Sequence, residues 1–197
     1  MDGVPVFNLV RETLPAVTIL GFRGVVNSTT NHILTAVEDG EEFAPALARM
    51  QAAGIAEADP SLDVDGWDAA AKAAALANVL LDAECTPHDV DRTGLGPDTA
   101  ARARAALAHG CRLRLVASAR RGERPIVRPV ELPQDDLLAG LRGMANALIF
   151  ETDLLGEVAI TQLEGNLTLT AYALLSDLLT VIRRHRGPTG EHPDRSL

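Results

Sequence analysis

The spacing of apolar residues changes several times along this chain, and each change predicts an element. Residues 5–14, "PVFNLVRETL", place apolar side chains at helical spacing behind a proline, which suits the first turn of a helix. "VTILGFRGVV" is short and almost continuously apolar, the pattern of a buried strand. "NSTTNHILTAVEDG" opens on polar residues able to cap a helix and closes on Gly40. "EEFAPALARMQAAG" predicts a second helix, with acids at its positive end and Pro45 in its first turn. After an acidic stretch, Asp65 is placed to cap a long helix from about Gly66 to Leu81. A helix over 97–109 is followed by strands near 111–119 and 124–131. In the first of these, "CRLRLVAS" alternates arginine with apolar residues, as in a strand with one wet face. "ANALIFE" and "GEVAITQL" predict two more strands, joined by a turn around Asp153–Gly156. The last amphipathic helix, "LTLTAYALLSDLLTVIRRH", ends before Gly187–Pro188. Helices with a mostly antiparallel sheet make the expected class α+β: one domain over 1–186, then a disordered tail over 187–197.

Composition narrows the function classes. Of 197 residues, 47% are hydrophobic but only 3% aromatic, so the core is built from Ala, Leu, Val and Ile. A net charge of −9 argues against a nucleic-acid partner. Cys85 and Cys111 are too few for a disulfide scaffold and lack metal-ligand spacing, so no metal is expected. No apolar run reaches the ~18 residues of a membrane span, and Asp2 precedes no signal-like segment. The expected location is therefore the cytoplasm, with no membrane partner. Neither G-x-G-x-x-G after a strand nor G-x-x-x-x-G-K-[ST] occurs, so this sequence predicts no dinucleotide or phosphate loop of its own.

Charge patterning points to one place. "EADPSLDVDGWDAAAK" crowds Glu57, Asp59, Asp63, Asp65 and Asp68 ahead of Lys72, the only lysine among 18 Lys and Arg residues. Asp68 and Lys72 stand four apart and share a helix face. The plain reading is a solvated ion pair, worth a few tenths of a kcal/mol. A calcium loop fits poorly, because the motif would put Ser61 and Lys72 at ligand positions. The chemical reading is a proton-transfer site. The shared face continues through Ala75 and Val79, which suggests a covered face, where desolvation and neighbouring carboxylates pull the amine in opposite directions. Arginine cannot release a proton near neutrality and lysine can, which explains a sole lysine in an arginine-using chain.

The acidic stretch resembles the homoserine dehydrogenase signature G-Y-x-E-A-D-P-x-x-D-v-x-G-x-D-x-x-x-K. It stands here as Gly54, Ile55, Glu57, Ala58, Asp59, Pro60, Asp63, Gly66, Asp68 and Lys72. "GVVNSTTNHIL" is similar to that family's G-I-x-N-G-T-T-N-Y-I-L, "TAYALLSDLL" to its closing T-A-x-A-x-x-x-D-L helix, and "VPVFNLVRETL" to its first helix. The resemblance spans about residues 3–183. It implies a mixed sheet covered by helices, and a dimer. A contact face left exposed and a sheet edge in need of cover make a homodimer or larger oligomer the expectation, with strands 111–119 and 144–162 as candidate interface elements. The resemblance also implies Lys72, Asp68 and Glu57 as catalytic residues, beside a small-molecule pocket lined by Asp63, Thr29, Ser28, Asn27, Ile55 and His32.

The departures from the family bear on function. No Rossmann domain is expected within these residues, so the lysine that the family draws from that domain and most of the monovalent-cation loop are expected to have no counterpart among them. Where the family has G-A-G before its T-A pair, this chain has Glu164, Gly165 and Asn166, and a carboxylate at Glu164 would disfavour a nicotinamide nucleotide. Ser28 replaces a glycine, Ile55 a tyrosine and His32 another tyrosine, which makes the pocket wall at Ile55 apolar. The main expectation is an acid–base enzyme without cofactor, catalysing cyclisation, isomerisation, aldol-type chemistry or elimination. A Schiff base at Lys72 is a variant of it. The alternative is the catalytic half of an NAD(P)-dependent homoserine dehydrogenase whose Rossmann domain is a separate chain. A non-catalytic dimeric scaffold is the third reading.

Overall fold

Residues 3–165 and 167–185 are described by the computed structural model of the chain. The tail expected over 187–197 lies outside them. The elements, in order, are α1 (Val6–Thr13), β1 (Ile19–Val25), α2 (Ser28–Glu38), α3 (Phe43–Ala52), α4 (Ser61–Val64), α5 (Trp67–Leu81), β2 (Asp91–Arg92), α6 (Thr99–Ala108), β3 (Cys111–Arg120), β4 (Ile126–Pro133), β5 (Asn146–Thr152), β6 (Gly156–Gln162) and α7 (Leu167–His185). A single 3₁₀ turn at Pro87–Asp89 precedes β2. Val6–Gly165 make up one compact unit, and the described part of a second holds residues 3–5 and 167–185.

The strand order in the first unit is β2-β4-β3-β1-β5-β6. Every pairing is antiparallel except the two-residue parallel bridge of β2 to β4. This is the expected α+β class, a mixed and largely antiparallel sheet covered by helices. Helices α2, α5 and α6 pack against the sheet. The buried face of α5 consists mainly of Ala69, Ala70, Ala73, Ala74 and Ala77, small residues that let a helix lie close to a sheet without loss of side-chain entropy. Among the described residues no helix is long and apolar enough to cross a membrane.

Two expectations need correction, and a third is narrowed by the strand order. The alternating segment of β3 has no wet face at its centre: Leu113 to Ala117 are all buried, and Arg114 is 0% exposed. The cause is the stretch between β4 and β5, which lays Leu138, Ala139 and Leu141 over the arginine-bearing face beside Val25, Val116, Ala147 and Ile149. Arg114 survives burial by donating to Glu38 (2.6 Å) and to the carbonyls of Leu113 and Ala139 (2.7 and 2.9 Å). As an inner strand, β3 offers no edge to a partner; among the expected interface strands only β6 lies at a sheet edge. Finally, Asp65 does not cap the long helix. Ser61–Val64 form a helical turn that Asp65 terminates, and Gly66, at φ +81°, is the N-cap of α5. A positive φ is inexpensive only for glycine.

Candidate active site

The site begins where β1 gives way to α2. Asn27 is the N-cap of α2, and its side-chain oxygen accepts from the Thr30 backbone N–H (2.8 Å) and the Thr30 hydroxyl (2.9 Å). That capping fixes the amide orientation. The Asn27 NH₂ must then point away, and it donates to Asp63 Oδ1 at 2.6 Å and Asp68 Oδ2 at 2.7 Å. Asp68, in the first turn of α5, accepts a second bond on the same oxygen from Lys72 Nζ at 2.9 Å. Four residues from three elements are thus joined: Asn27 from α2, Asp63 from α4, and Asp68 with Lys72 from α5. Their ion pair is half-buried, with side chains 33% (Asp68) and 26% (Lys72) exposed.

The junction of α4 and α5 is held by its neighbours. Gly94 lies so close to the backbone of Val64 and Asp65 that a Cβ there would overlap them. The Leu95 N–H donates to the Val64 carbonyl at 2.7 Å. Arg92 donates to the Asp65 carbonyl and stacks its guanidinium over the Trp67 ring, 3.8 Å from the centroid. Asp68 sits in the first turn of α5, where the peptide dipoles favour negative charge.

A cavity of about 570 Å³ opens beside the cluster. Glu57, Asp59, Asp63 and Asp68 line it on the acidic side, and Ile55, Leu62, Trp67, Ala71, Pro87 and His88 supply the rest. Glu57 itself is exposed, and its segment is tethered by Gln51, whose side-chain amide donates to the carbonyls of Glu57 (3.0 Å) and Ala58 (3.1 Å).

Other residues singled out from the sequence take different places. Ser28 Oγ accepts from Asn146 Nδ2 at 2.7 Å, tying the start of α2 to β5. Thr29 is buried in the first turn of α2. His32 lies near the Glu41–Arg49 ion pair, away from the carboxylates of the cluster. Its imidazole pKa is lowered, first by burial and then by Arg49, with Glu41 opposing. Beyond Lys72 the shared face of α5 is open, not covered: Ala75 is exposed and Val79 is 56% exposed. The buried face of α5 is the alanine stripe instead. Trp67, Pro87 and His88 escaped the sequence reading; an aromatic at the helix start directly before Asp68 was the one available signal. Among the described residues no group of three or more His, Cys, Asp or Glu is arranged to hold a metal ion.

The family model for homoserine dehydrogenase matches residues 5–179. An NAD(+)-dependent homoserine dehydrogenase of Pseudomonas canavaninivorans is 38% identical over 185 residues, covering 92% of this chain and 53% of that protein. A homoserine dehydrogenase of Methanocaldococcus jannaschii is 38% identical over 180 residues, covering 91% and 53%. Among solved structures, a homoserine dehydrogenase from Thiobacillus denitrificans superposes with a TM-score of 0.88 at 31% identity, covering 98% of this chain and 46% of that one. A hyperthermophilic archaeal homoserine dehydrogenase in complex with NADPH gives 0.78 at 31% identity, covering 93% and 53%. The chain spans about half the length of the curated relatives it matches.

Proposed function

This chain belongs to the homoserine dehydrogenase family, and we propose that it is the substrate-binding, proton-transferring half of such an enzyme, interconverting aspartate semialdehyde and homoserine. The observation that carries the reading is the linked set Asn27, Asp63, Asp68 and Lys72, of which Asp63 and Asp68 line an open cavity, with Lys72 tied to it through the Asp68 carboxylate. Reduction of an aldehyde to an alcohol needs a proton on the oxygen. A lysine ammonium can deliver it and an arginine cannot. Asp68 holds the ammonium in place, and Asn27 holds Asp68, so the amine is oriented before substrate arrives. Glu57 and Asp63, with their negative charge on the cavity wall, suit the substrate's own ammonium group.

A nicotinamide nucleotide does not fit the described residues as its holder. Dinucleotides bind where a parallel strand runs through a glycine-rich turn into a helix. Here the sheet is antiparallel apart from one two-residue bridge, and no such turn follows any of its strands. NAD(P) would be held by a nucleotide-binding polypeptide outside the described residues. The names of the relatives, one of them NAD(+)-dependent, favour this redox reading over the acid–base reaction without cofactor. Assembly as a homodimer or larger oligomer, with β6 as the available edge, is part of the same proposal.

The test is reconstitution. The chain is mixed with the nucleotide-binding half of the Pseudomonas canavaninivorans relative, and oxidation of NAD(P)H is followed with aspartate semialdehyde. The reading expects turnover that needs both polypeptides. Conversion of the aldehyde by this chain alone, at the same rate with and without the second half, would return the case to a reaction without cofactor.

A further inference from the structure

Glu57 lines the cleft from a stretch that the core does not hold. After α3 the chain turns at Gly54, at φ +69°, a backbone angle that costs glycine little. The Met50 carbonyl accepts from the N–H groups of Ile55 (2.9 Å) and Ala56 (3.3 Å), and Ala56 is buried. Beyond it Glu57, Ala58 and Asp59 are all exposed. The chain is fixed again at the head of α4. There Asp59 Oδ1 accepts from the Ser61 N–H (3.0 Å), and the Pro60 carbonyl accepts from the Asp63 N–H (3.0 Å).

Between these two anchors one side chain bridges the gap. Gln51, in the last turn of α3, donates from Nε2 to the carbonyls of Glu57 (3.0 Å) and Ala58 (3.1 Å). A primary amide nitrogen carries two N–H donors, and here they go to two consecutive peptide oxygens. Among the described residues, no other side chain from outside residues 54–60 hydrogen-bonds to that stretch. A carboxylate on an unheld loop is ordered at the expense of binding, whereas one whose backbone is already pinned is not.

We propose that Gln51 is a positioning residue for substrate binding, acting through Glu57 by holding the backbone that carries this carboxylate beside the cleft. This rests on the reading of Glu57 as a partner of the substrate's ammonium group. The reaction leaves that ammonium unchanged, so Glu57 binds ground state and transition state alike. A weaker hold on Glu57 then raises KM and leaves kcat alone.

The test is a double-mutant cycle in the reconstituted pair, with KM and kcat measured for L-homoserine oxidation and a melting temperature taken for each variant. Gln51→Met and Gln51→Glu keep the side-chain length and remove both donors. Each is expected to raise KM about fivefold, the effect of two exposed hydrogen bonds at the low end of their usual worth. The fold and kcat should stay close to native. In a Glu57→Gln background, which raises KM by itself, the same substitutions should add less than ~twofold, because the group they act through is already disabled. Raised KM in Glu57→Gln beside native values in both Gln51 variants would overturn the positioning role and leave the proposed function standing. So would the full penalty repeated in the Glu57→Gln background, which would assign Gln51 to the fold at large. An unchanged KM in Glu57→Gln, or a native pair without turnover, would overturn this inference together with the reading it rests on.

Discussion

Asn27 shows how one residue can serve structure and chemistry together. Its oxygen caps α2 while its nitrogen bridges two carboxylates, so the two roles can be separated by substitution. Ser is as good an N-cap as Asn, but Asn27→Ser removes the bridging donor to Asp63 and Asp68 without adding a charge. The expected outcome is a melting temperature within a few degrees of the native chain and a loss of about 10²-fold in reconstituted turnover, the lower range for a disrupted acid–base group. Thermal unfolding and initial rates measured together check this. A large fall in melting temperature with turnover retained would assign Asn27 to folding alone. The type and place of this residue could be read in the sequence, as part of "NSTTN". Its orientation could not, because the amide is set by contacts with Asp63 and Asp68, 36 and 41 residues away.

At the scale of elements, helices and strands with a clear period were legible, and their observed ends fall within a few residues of those expected. What escaped depended on tertiary partners. The two residues of β2 have no period to detect and exist only because β4 offers a parallel edge. Arg114 followed the alternation of an exposed strand face, yet a stretch with no regular pattern of its own covers it. Glu38, also buried at 1% exposure, binds Arg112 and Arg114 together. Removing one partner from such a buried pair costs about 3–5 kcal/mol, since the remaining charge is left uncompensated. Glu38→Ala is therefore expected to lower stability by that amount in denaturant unfolding, while pairing it with Arg114→Met should recover most of the loss. A change below ~1 kcal/mol in the single variant would mean that water reaches the arginine. The cavity wall eluded the sequence reading for a related reason: Trp67 and His88 are 21 positions apart and meet only because α5 and the 3₁₀ turn pack together.

For the whole molecule, the family assignment and the position of the signature agree. The motif residues Asp63, Asp68 and Lys72 converge in space, and the chain covers about half of each curated relative it matches. In the proposed reading the cavity takes the substrate, and the nucleotide is held by another polypeptide. The central claim is that Lys72 moves a proton and does not merely pair with Asp68. The most direct measurement is the reconstituted rate with Lys72→Arg, with circular dichroism to confirm the fold. Arginine keeps the charge and the partner but cannot give up a proton near neutrality. The account predicts a folded variant that is at least ~10²-fold slower; a native rate from Lys72→Arg would contradict it and reduce the pair to a surface ion pair on a helix.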